Sequence, residues 1–152
     1  MGLYYEQCRV GLVLKHVITR TVTEMDNVLF TSLTMNVQPL HLSKEYARTT
    51  EYGRRVVNGV LTLGLVVGIS SGDTVVGTSL GVLSFDRVTF HRPVFHGDTI
   101  RVETTVLRKR PSRSRPDAGI VTFEHRGINQ HDEVVLAVVR KGLMLRRPVA
   151  AG

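Results

Sequence analysis

Apolar side chains in the first third of the chain recur at helical spacing. Between residues 24 and 33 they follow a period of three to four, and Thr23 with Asp26 three residues later forms a capping-box pattern. Ser43 is a second N-cap candidate, directly before the polar stretch 44–48. The pattern predicts a helix over 24–33 and a brief helix over 44–48.

A longer apolar stretch follows from Val56 to Ile69. It is hydrophobic almost all round, and Gly59, Gly64 and Gly68 place small residues along it. A helix that is apolar on every face is typical of a buried helix, and the small residues allow close approach to a sheet. We therefore predict a buried central helix over 56–69, although a strand would also accept Val56, Val57 and Val60.

The second half of the chain has the composition of β-strands. Four runs are rich in Val, Thr, Ile and Leu: Thr78 to Phe90, Thr99 to Lys109, Gly119 to Asn129 and Glu133 to Arg147. Short turn-like segments separate most of them, which is typical of antiparallel pairing. With a further strand predicted over 10–19, the order is strand, helices and then four strands, an α+β arrangement. A single sheet layer leaves edges that dimerisation would cover.

Composition indicates a single folded domain over 1–152. The lone cysteine, Cys8, excludes an internal disulfide, and no leader or membrane-spanning stretch is visible, so a cytoplasmic location is expected. Twenty Lys and Arg against thirteen Asp and Glu give a net charge of +7, which favours an anionic partner. Only 6% of residues are aromatic, a poor supply for stacking nucleic acid bases, and we expect neither a nucleic acid nor a membrane as partner.

Two positions suggest chemistry. His41 follows a segment in which Pro39 restrains the backbone, so Asn36, Gln38 and His41 project from a stiff connection and an imidazole can exchange a proton near neutral pH. A helix-to-helix connector with polar caps is an equally good interpretation. Gly59 at a helix start would let a ligand approach backbone N–H groups, or it permits close packing only.

The remaining histidines show weaker signals. His16, His125 and His131 have no acidic or nucleophilic partner at a meaningful spacing, and we expect them to be solvated. His91 and His96 flank Pro93 in what looks like a bent strand, but their spacing without a third ligand is a poor metal signal. No metal site is predicted.

Most of the chain, about residues 10 to 147, resembles the MaoC-like dehydratases, the (R)-specific enoyl-CoA hydratases of the hot-dog fold. Their motif Ser-Gly-Asp-x-Asn-Pro-x-His corresponds to Thr34-Met35-Asn36-Val37-Gln38-Pro39-Leu40-His41, and the entry to their central helix corresponds to Val57-Asn58-Gly59-Val60-Leu61. The segments Pro93 to Thr99 and Gly119 to Val135 are also similar. The resemblance implies an antiparallel sheet wrapped around a long central helix.

The resemblance also implies roles for residues. In this family the motif Asp and His hold the water that adds to an enoyl thioester, and a glycine N–H polarises the thioester carbonyl. Carried over, His41 is the acid/base and Gly59 the oxyanion donor, with Gln38 and Asn58 at the substrate. Asn36 stands where the family has Asp, and an amide cannot take up a proton as a carboxylate does. Asn36 could orient the water, or a substrate carboxylate could share the work.

The loop Thr34 to His41 is similar to the branch of the family that acts on mesaconyl-, itaconyl- and methylmalyl-type C5 dicarboxylic thioesters. An anionic acyl group favours an arginine, with Arg54 and Arg55 as candidates, while Arg113 and Arg115 are candidates for the phosphates of coenzyme A. Arginines in exposed loops are more often solvated. Coenzyme A would be part of the substrate, and no separate cofactor is implied.

The function expected from the resemblance is a hydro-lyase: an enoyl-CoA hydratase or 3-hydroxyacyl-CoA dehydratase. Its expected acyl group is short or branched, with a C5 dicarboxylic group as one candidate, and the expected assembly is a homodimer or higher homo-oligomer. A hot-dog acyl-CoA thioesterase is one alternative, but no Asp or Glu lies between Val56 and Ser71 to serve as its base. A non-catalytic acyl-thioester binding module is the other, and Asn36 is the observation that favours it.

Overall fold

The computed structural model describes residues 1–148, and its framework is an antiparallel sheet. The strands are β1 (Val13–Lys15), β2 (Arg20–Thr21), β3 (Ser79–Phe90), β4 (Thr99–Pro111), β5 (Ala118–Ile128) and β6 (Val134–Leu145). Their order is β1-β4-β5-β6-β3, and β2 pairs with β4 beyond β1. The four long strands lie within two residues of the predicted bounds, which confirms that part of the sequence analysis.

Four helices lie between β2 and β3: α1 (Glu24–Leu33), α2 (Pro39–Leu42), α3 (Lys44–Arg48) and α4 (Gly59–Thr74). The capping box that Thr23 and Asp26 were predicted to form is present, and Ser43 caps α3 through the Tyr46 N–H. α1 and α3 therefore occupy their predicted ranges. No helix within residues 1–148 has both the length and the apolar composition needed to cross a membrane.

The central helix α4 differs from its prediction at both ends. It begins at Gly59, because the Asn58 side chain caps it and the preceding residues are tied to another segment by the Val57 N–H bond to the Val94 carbonyl at 2.8 Å. It extends to Thr74, past the predicted end at Ile69. Its last turns are rich in Ser and Thr, whose hydroxyls bond back to helix carbonyls, as Thr74 does to Ser70 at 2.6 Å.

α4 is also not buried all round, as its composition suggested. It packs against β4, β5 and β6, and Gly127 of β5 allows this approach, since a Cβ there would lie 2.5 Å from a Val66 methyl. On the opposite side Val60 is 59% exposed, and Gly64 and Gly68 are exposed as well. The helix therefore has one covered and one open side.

The strand predicted over 10–19 is wrong except at residues 13–15. Gly11 adopts φ +85°, a turn conformation. After Lys15 the chain turns inward, and the His16 N–H bonds to the Val102 carbonyl at 3.0 Å. The stretch Phe90 to Phe95 is likewise not a bent strand: β3 ends at Phe90, and only an isolated bridge joins Val56 to Phe95.

Candidate active site

His41 lies in α2, a single helical turn that begins at Pro39. Proline suits this position, where its missing N–H has no helical partner to lose. The Nδ1 atom of His41 lies 2.8 Å from the carbonyl oxygen of Val56. Because a carbonyl oxygen only accepts hydrogen bonds, Nδ1 carries the proton of the neutral ring and Nε2 keeps its lone pair. Nε2 is therefore the atom that can take a proton from water or a substrate.

Gly59 is the first residue of α4, and its backbone N–H points out of the helix start. The Asn58 side chain accepts from the Val60 N–H at 3.0 Å, whereas the Gly59 N–H bonds to no acceptor within residues 1–148. The first N–H groups of a helix lack intrahelical partners and carry the positive end of its dipole. The Gly59 N–H can therefore donate to a ligand oxygen that bears negative charge.

A cavity of about 330 Å³ brings His41 and Gly59 together. Its other lining residues are Tyr52, Val56, Val57, Thr62, Phe90, His91, Arg92, Pro93, Val94 and Val135. The walls are mostly apolar, Arg92 adds a cation, and among residues 1–148 no Asp or Glu lines it. Such a cavity can hold an acyl group, polarise its carbonyl and move one proton.

The two chemical groups share one short segment. The Val56 carbonyl holds the His41 ring, and Gly59 follows three residues later. This segment is fixed from outside by the Val57 bond to Val94 and by the bridge between Val56 and Phe95. The histidine and the helix start are therefore positioned by the same backbone.

Asn27 of α1, which the sequence analysis missed, supports this segment from beneath. It is fully buried. Its Oδ1 accepts from the Asn58 N–H at 2.8 Å, and its Nδ2 lies 3.2 Å from the His41 carbonyl, 3.4 Å from the Val56 carbonyl and 3.0 Å from Nε2 of His96. Burial, followed by the charge of Arg55, lowers the pKa of His96, which favours the unprotonated Nε2 that accepts from Asn27.

Replacing Asn27 with alanine is expected to lower the free energy of unfolding by about 3 kcal/mol, because several buried donors and acceptors lose their partner. Urea unfolding followed by circular dichroism measures it. Asn36→Ala is the matched control: it removes an amide that accepts one hydrogen bond, in a half-buried position, and should cost less than about 1 kcal/mol. Equal losses in the two variants would contradict the supporting role of Asn27.

The structure places the other motif residues around the cavity rather than in its wall. The Asn36 Oδ1 accepts from the Gln38 N–H at 3.0 Å in the turn before α2, and Gln38 is exposed. Asn58 is 3% exposed and caps α4, which makes its observed contacts structural. None of the three is among the residues that line the cavity.

Arg54 and Arg55, the predicted partners of a substrate carboxylate, do not line this cavity either. Arg55 forms an ion pair with Glu24 at 2.6 Å, and the Arg54 guanidinium lies 3.7 Å from the centre of the Phe95 ring. Both border a separate groove with Lys44 and Arg48. The arginine that lines the cavity is Arg92, which the sequence analysis passed over beside Pro93.

Arg113 and Arg115 are also not brought to the cavity. They lie in the loop between β4 and β5, where Arg115 forms an ion pair with Asp117 at 2.6 Å. Nine residues of β6 separate the row at Leu136 from the row at Leu145 beside this loop, which is about 30 Å at the rise of a strand. The expectation that these two arginines face the same ligand as His41 is therefore not supported by their placement.

No group of three or more His, Cys, Asp or Glu side chains within residues 1–148 is arranged to hold a metal ion. The prediction that His16 and His125 are solvated is wrong: they are 6% and 0% exposed. The sequence offered no signal for this, because their partners are far apart along the chain.

Comparison with known proteins agrees with the geometry. The family described as MaoC like domain matches residues 6–139. Mesaconyl-CoA hydratase from Cereibacter sphaeroides is 31% identical over 150 residues, which cover 99% of this chain and 43% of the relative. An (R)-specific enoyl-CoA hydratase from Rhodospirillum rubrum is 30% identical over 114 residues, 72% of this chain and 74% of the relative. The chain thus spans less than half of the first of these relatives.

A solved structure confirms the fold class. A Mycobacterium tuberculosis protein with a double hot-dog fold superposes with a TM-score of 0.86 at 21% identity, covering 99% of this chain and 46% of that one. The antiparallel sheet packed on α4 is therefore a hot-dog fold. Because the family matches residues 6–139, which is most of the sequence, the chain belongs to the MaoC-like domain family.

Proposed function

We propose that this domain is a hydro-lyase site that adds water to the double bond of an enoyl thioester, or removes it in reverse. The observation that carries the proposal is a single cavity lined by both His41, whose Nδ1 is held by the Val56 carbonyl, and Gly59, whose N–H begins α4. The relatives named mesaconyl-CoA hydratase and (R)-specific enoyl-CoA hydratase support the same class of reaction.

The reaction needs one hydrogen-bond donor for the thioester carbonyl and one base for the attacking water. The Gly59 N–H donates to the thioester carbonyl oxygen, which draws electrons from the double bond and makes the β-carbon electrophilic; one such donor contributes about 3 kcal/mol in related carbonyl chemistry. His41 Nε2 takes a proton from water as its oxygen bonds to the β-carbon. The proton then passes to the α-carbon, so that OH and H have been added and the histidine is neutral again. Asn36 does not line the cavity, and the proposal that it orients the water rests on the family resemblance alone.

The charges around the cavity support a dicarboxylic acyl group bound to coenzyme A. Arg92 lines the cavity itself, and its Nε lies 3.4 Å from a Glu133 carboxylate that a substrate carboxylate could replace. The groove bordered by Lys44, Arg48, Arg54 and Arg55 shares the segment 52–56 with the cavity: Gly53, Arg54 and Arg55 line the groove, and Tyr52 and Val56 line the cavity. It is better placed than Arg113 and Arg115 to hold the coenzyme A phosphates. Coenzyme A enters as part of the substrate, and no separate cofactor is required.

Two other functions fit less well. A thioesterase with this carbonyl donor needs a carboxylate base or nucleophile, and none lines the cavity within residues 1–148. A non-catalytic binding module would explain the amide at Asn36, but it gives no reason for a histidine whose Nδ1 is held and whose Nε2 is unprotonated. A homodimer or higher homo-oligomer, in which a second copy covers an edge of the sheet, stays a prediction, as does a cytoplasmic location.

The experiment that tests the proposal follows the loss of the enoyl-thioester absorbance band with mesaconyl-CoA and with crotonyl-CoA. We expect the native protein to consume mesaconyl-CoA. Arg92→Gln should lower kcat/KM for mesaconyl-CoA about tenfold to a hundredfold, because a hydrogen bond to a charged group is worth about 1.5–3 kcal/mol. If the protein also consumes crotonyl-CoA, Arg92→Gln should change kcat/KM for it less than about threefold, because crotonyl-CoA has no acyl carboxylate to pair with the arginine.

Arg126→Gln is the control for Arg92→Gln. Arg126 is also an exposed arginine paired with a glutamate, at 3.2 Å from Glu124, but it does not line the cavity. Equal losses for both thioesters in Arg92→Gln would refute the carboxylate role. Release of free thiol without hydration would establish the thioesterase, and binding of both thioesters without turnover would establish the binding module.

A further inference from the structure

A chain of polar side chains crosses the middle of the core. His16 Nδ1 lies 2.8 Å from the Asp73 carboxylate, His16 Nε2 lies 2.7 Å from the Thr104 hydroxyl, and that hydroxyl lies 2.7 Å from Nδ1 of His125. Only Asp73, with a side chain 61% exposed, meets solvent. The chain separates the apolar cluster around Val66 from the apolar cluster around Phe123. These four hydrogen-bonded side chains have no part in the proposed reaction.

Arg140 of β6 lies next to these polar side chains and is buried without hydrogen-bond partners for two of its nitrogens. It is 1% exposed, and its Nε and Nη2 atoms, like Nε2 of His125, have no hydrogen-bond partner within residues 1–148. Arg140 pairs across the sheet with Phe123, and His125 pairs with Val138, so Arg140 and His125 are diagonal neighbours on the helix-facing side. Diagonal neighbours are about 7–8 Å apart at Cα, close enough for one small group to contact both side chains.

No carboxylate within residues 1–148 pairs with the charge of Arg140. Burial lowers its pKa, but a guanidinium stays protonated in proteins. A buried cation without a partner is strongly unfavourable. The charged and titratable groups that face this layer are Asp73 from α4, His16 after β1, His125 from β5 and Arg140 itself. The carboxylate among them is already bonded to His16.

We propose that Arg140 and His125 bind a small monovalent inorganic anion of the size of chloride. The anion would accept from Nε and Nη2 of Arg140 and from Nε2–H of His125, which satisfies all three orphan nitrogens and neutralises the guanidinium. A water molecule could satisfy some of these donors but would leave the charge in place. The site lies apart from the His41 cavity, so the inference stands independently of the proposed function.

The hydrogen-bond directions link this anion to a proton. With His16 neutral, Nδ1–H donates to Asp73, the Thr104 hydroxyl donates to His16, and His125 Nδ1–H donates to Thr104, which leaves His125 Nε2 without a proton. For His125 to donate from Nε2 as a neutral ring, the two bonds at the Thr104 hydroxyl reverse: Thr104 donates to His125 Nδ1 and accepts from His16 Nε2–H. His16 Nδ1–H still donates to Asp73, so His16 carries two protons as an imidazolium. The anion therefore binds together with one proton, and its binding strengthens as the pH falls.

Thermal unfolding of the native protein in sodium chloride and in sodium gluconate of equal ionic strength tests the site, because gluconate is too large for it. We expect chloride at 200 mM to raise Tm by about 3 °C relative to gluconate at pH 6, and by less at pH 8. In crystals grown with sodium bromide, anomalous scattering should locate bromide between Arg140 and His125. Equal Tm values in both salts, or no bromide at this position, would overturn the proposal.

Three variants sharpen the test. Arg140→Met should remove the chloride effect, whereas Arg126→Met, which removes an exposed arginine of β5, should keep it. Thr104→Val keeps the side-chain volume but breaks the link between the two histidines, so the chloride effect should persist and become equal at pH 6 and pH 8. A chloride effect that survives in Arg140→Met would overturn the site, and one equal at both pH values in the native protein would overturn the proton coupling.

Discussion

Replacing His41 with alanine is expected to lower kcat for thioester hydration by about 10²- to 10⁴-fold, the usual contribution of positioned proton transfer. The ring supplies Nε2 as the base, because the Nδ1 bond to the Val56 carbonyl at 2.8 Å places the proton of the neutral ring on Nδ1. KM should change little, since the ring is one side chain in a cavity of about 330 Å³. Initial rates from the enoyl-thioester absorbance measure both constants.

His91→Ala is the matched control for His41→Ala. His91 lines the same cavity, but its ring makes no hydrogen bond within residues 1–148. Its backbone N–H donates to the Val135 carbonyl at 2.9 Å. We expect its kcat to stay within about threefold of the native value, because no positioned ring is lost. If His91→Ala is inactive and His41→Ala turns over normally, the base has been assigned to the wrong histidine.

Much of the fold follows from local signals. The long strands were predicted because alternating β-branched residues end at compact turns, where Gly97 adopts φ +94° and Asp132 φ +61°. The start of α1 was predicted from the reciprocal Thr23 and Asp26 bonds, which need only four consecutive residues. Interactions of this kind can be inferred from a sequence, because the partners are neighbours along the chain.

The parts that were missed depend on distant partners. α4 continues past Ile69, where Ser70 and Thr74 are fully buried and the Thr74 carbonyl accepts from the Leu3 N–H at 3.0 Å, which no local propensity indicates. Asn27 bonds to groups 14, 29, 31 and 69 residues away. His16 is buried through Thr104, 88 residues later. Such contacts exist only after the sheet has wrapped the helix.

The candidate site shows the same division. His41 and Gly59 were singled out from Pro39 and from the helix start, but their position at one cavity results from the bonds of Val56 and Val57 to other segments. The sequence-based choice of Arg54 and Arg55 followed their nearness to Gly59 along the chain. Arg92, 33 positions beyond Gly59, reaches the cavity instead, because β3 ends beside the start of α4.

Replacing Gly59 with alanine is expected to lower kcat/KM for hydration by up to about a hundredfold. The N–H stays in place, but a thioester carbonyl can no longer approach it, and the loss of one oxyanion hydrogen bond costs about that much. The new Cβ would lie 2.9 Å from Cε1 of Phe90 and 3.3 Å from its Cζ. Phe90 is 54% exposed, so its ring can move, but Gly59 and Phe90 both line the cavity, and the displaced ring and added methyl crowd the place where a thioester carbonyl meets the Gly59 N–H. Initial rates measure the effect.

Gly72→Ala separates this steric effect from helix propensity. Gly72 lies in the same helix, and a Cβ there meets nothing within 4 Å. Alanine at this position should stabilise the protein by up to about 1 kcal/mol and leave the kinetics unchanged. Combining Gly59→Ala with Phe90→Ala removes the ring and should restore part of the lost rate, because the N–H itself is still present. Full activity in Gly59→Ala alone would show that the added methyl group and the displaced Phe90 ring do not obstruct the place where the carbonyl is proposed to bind.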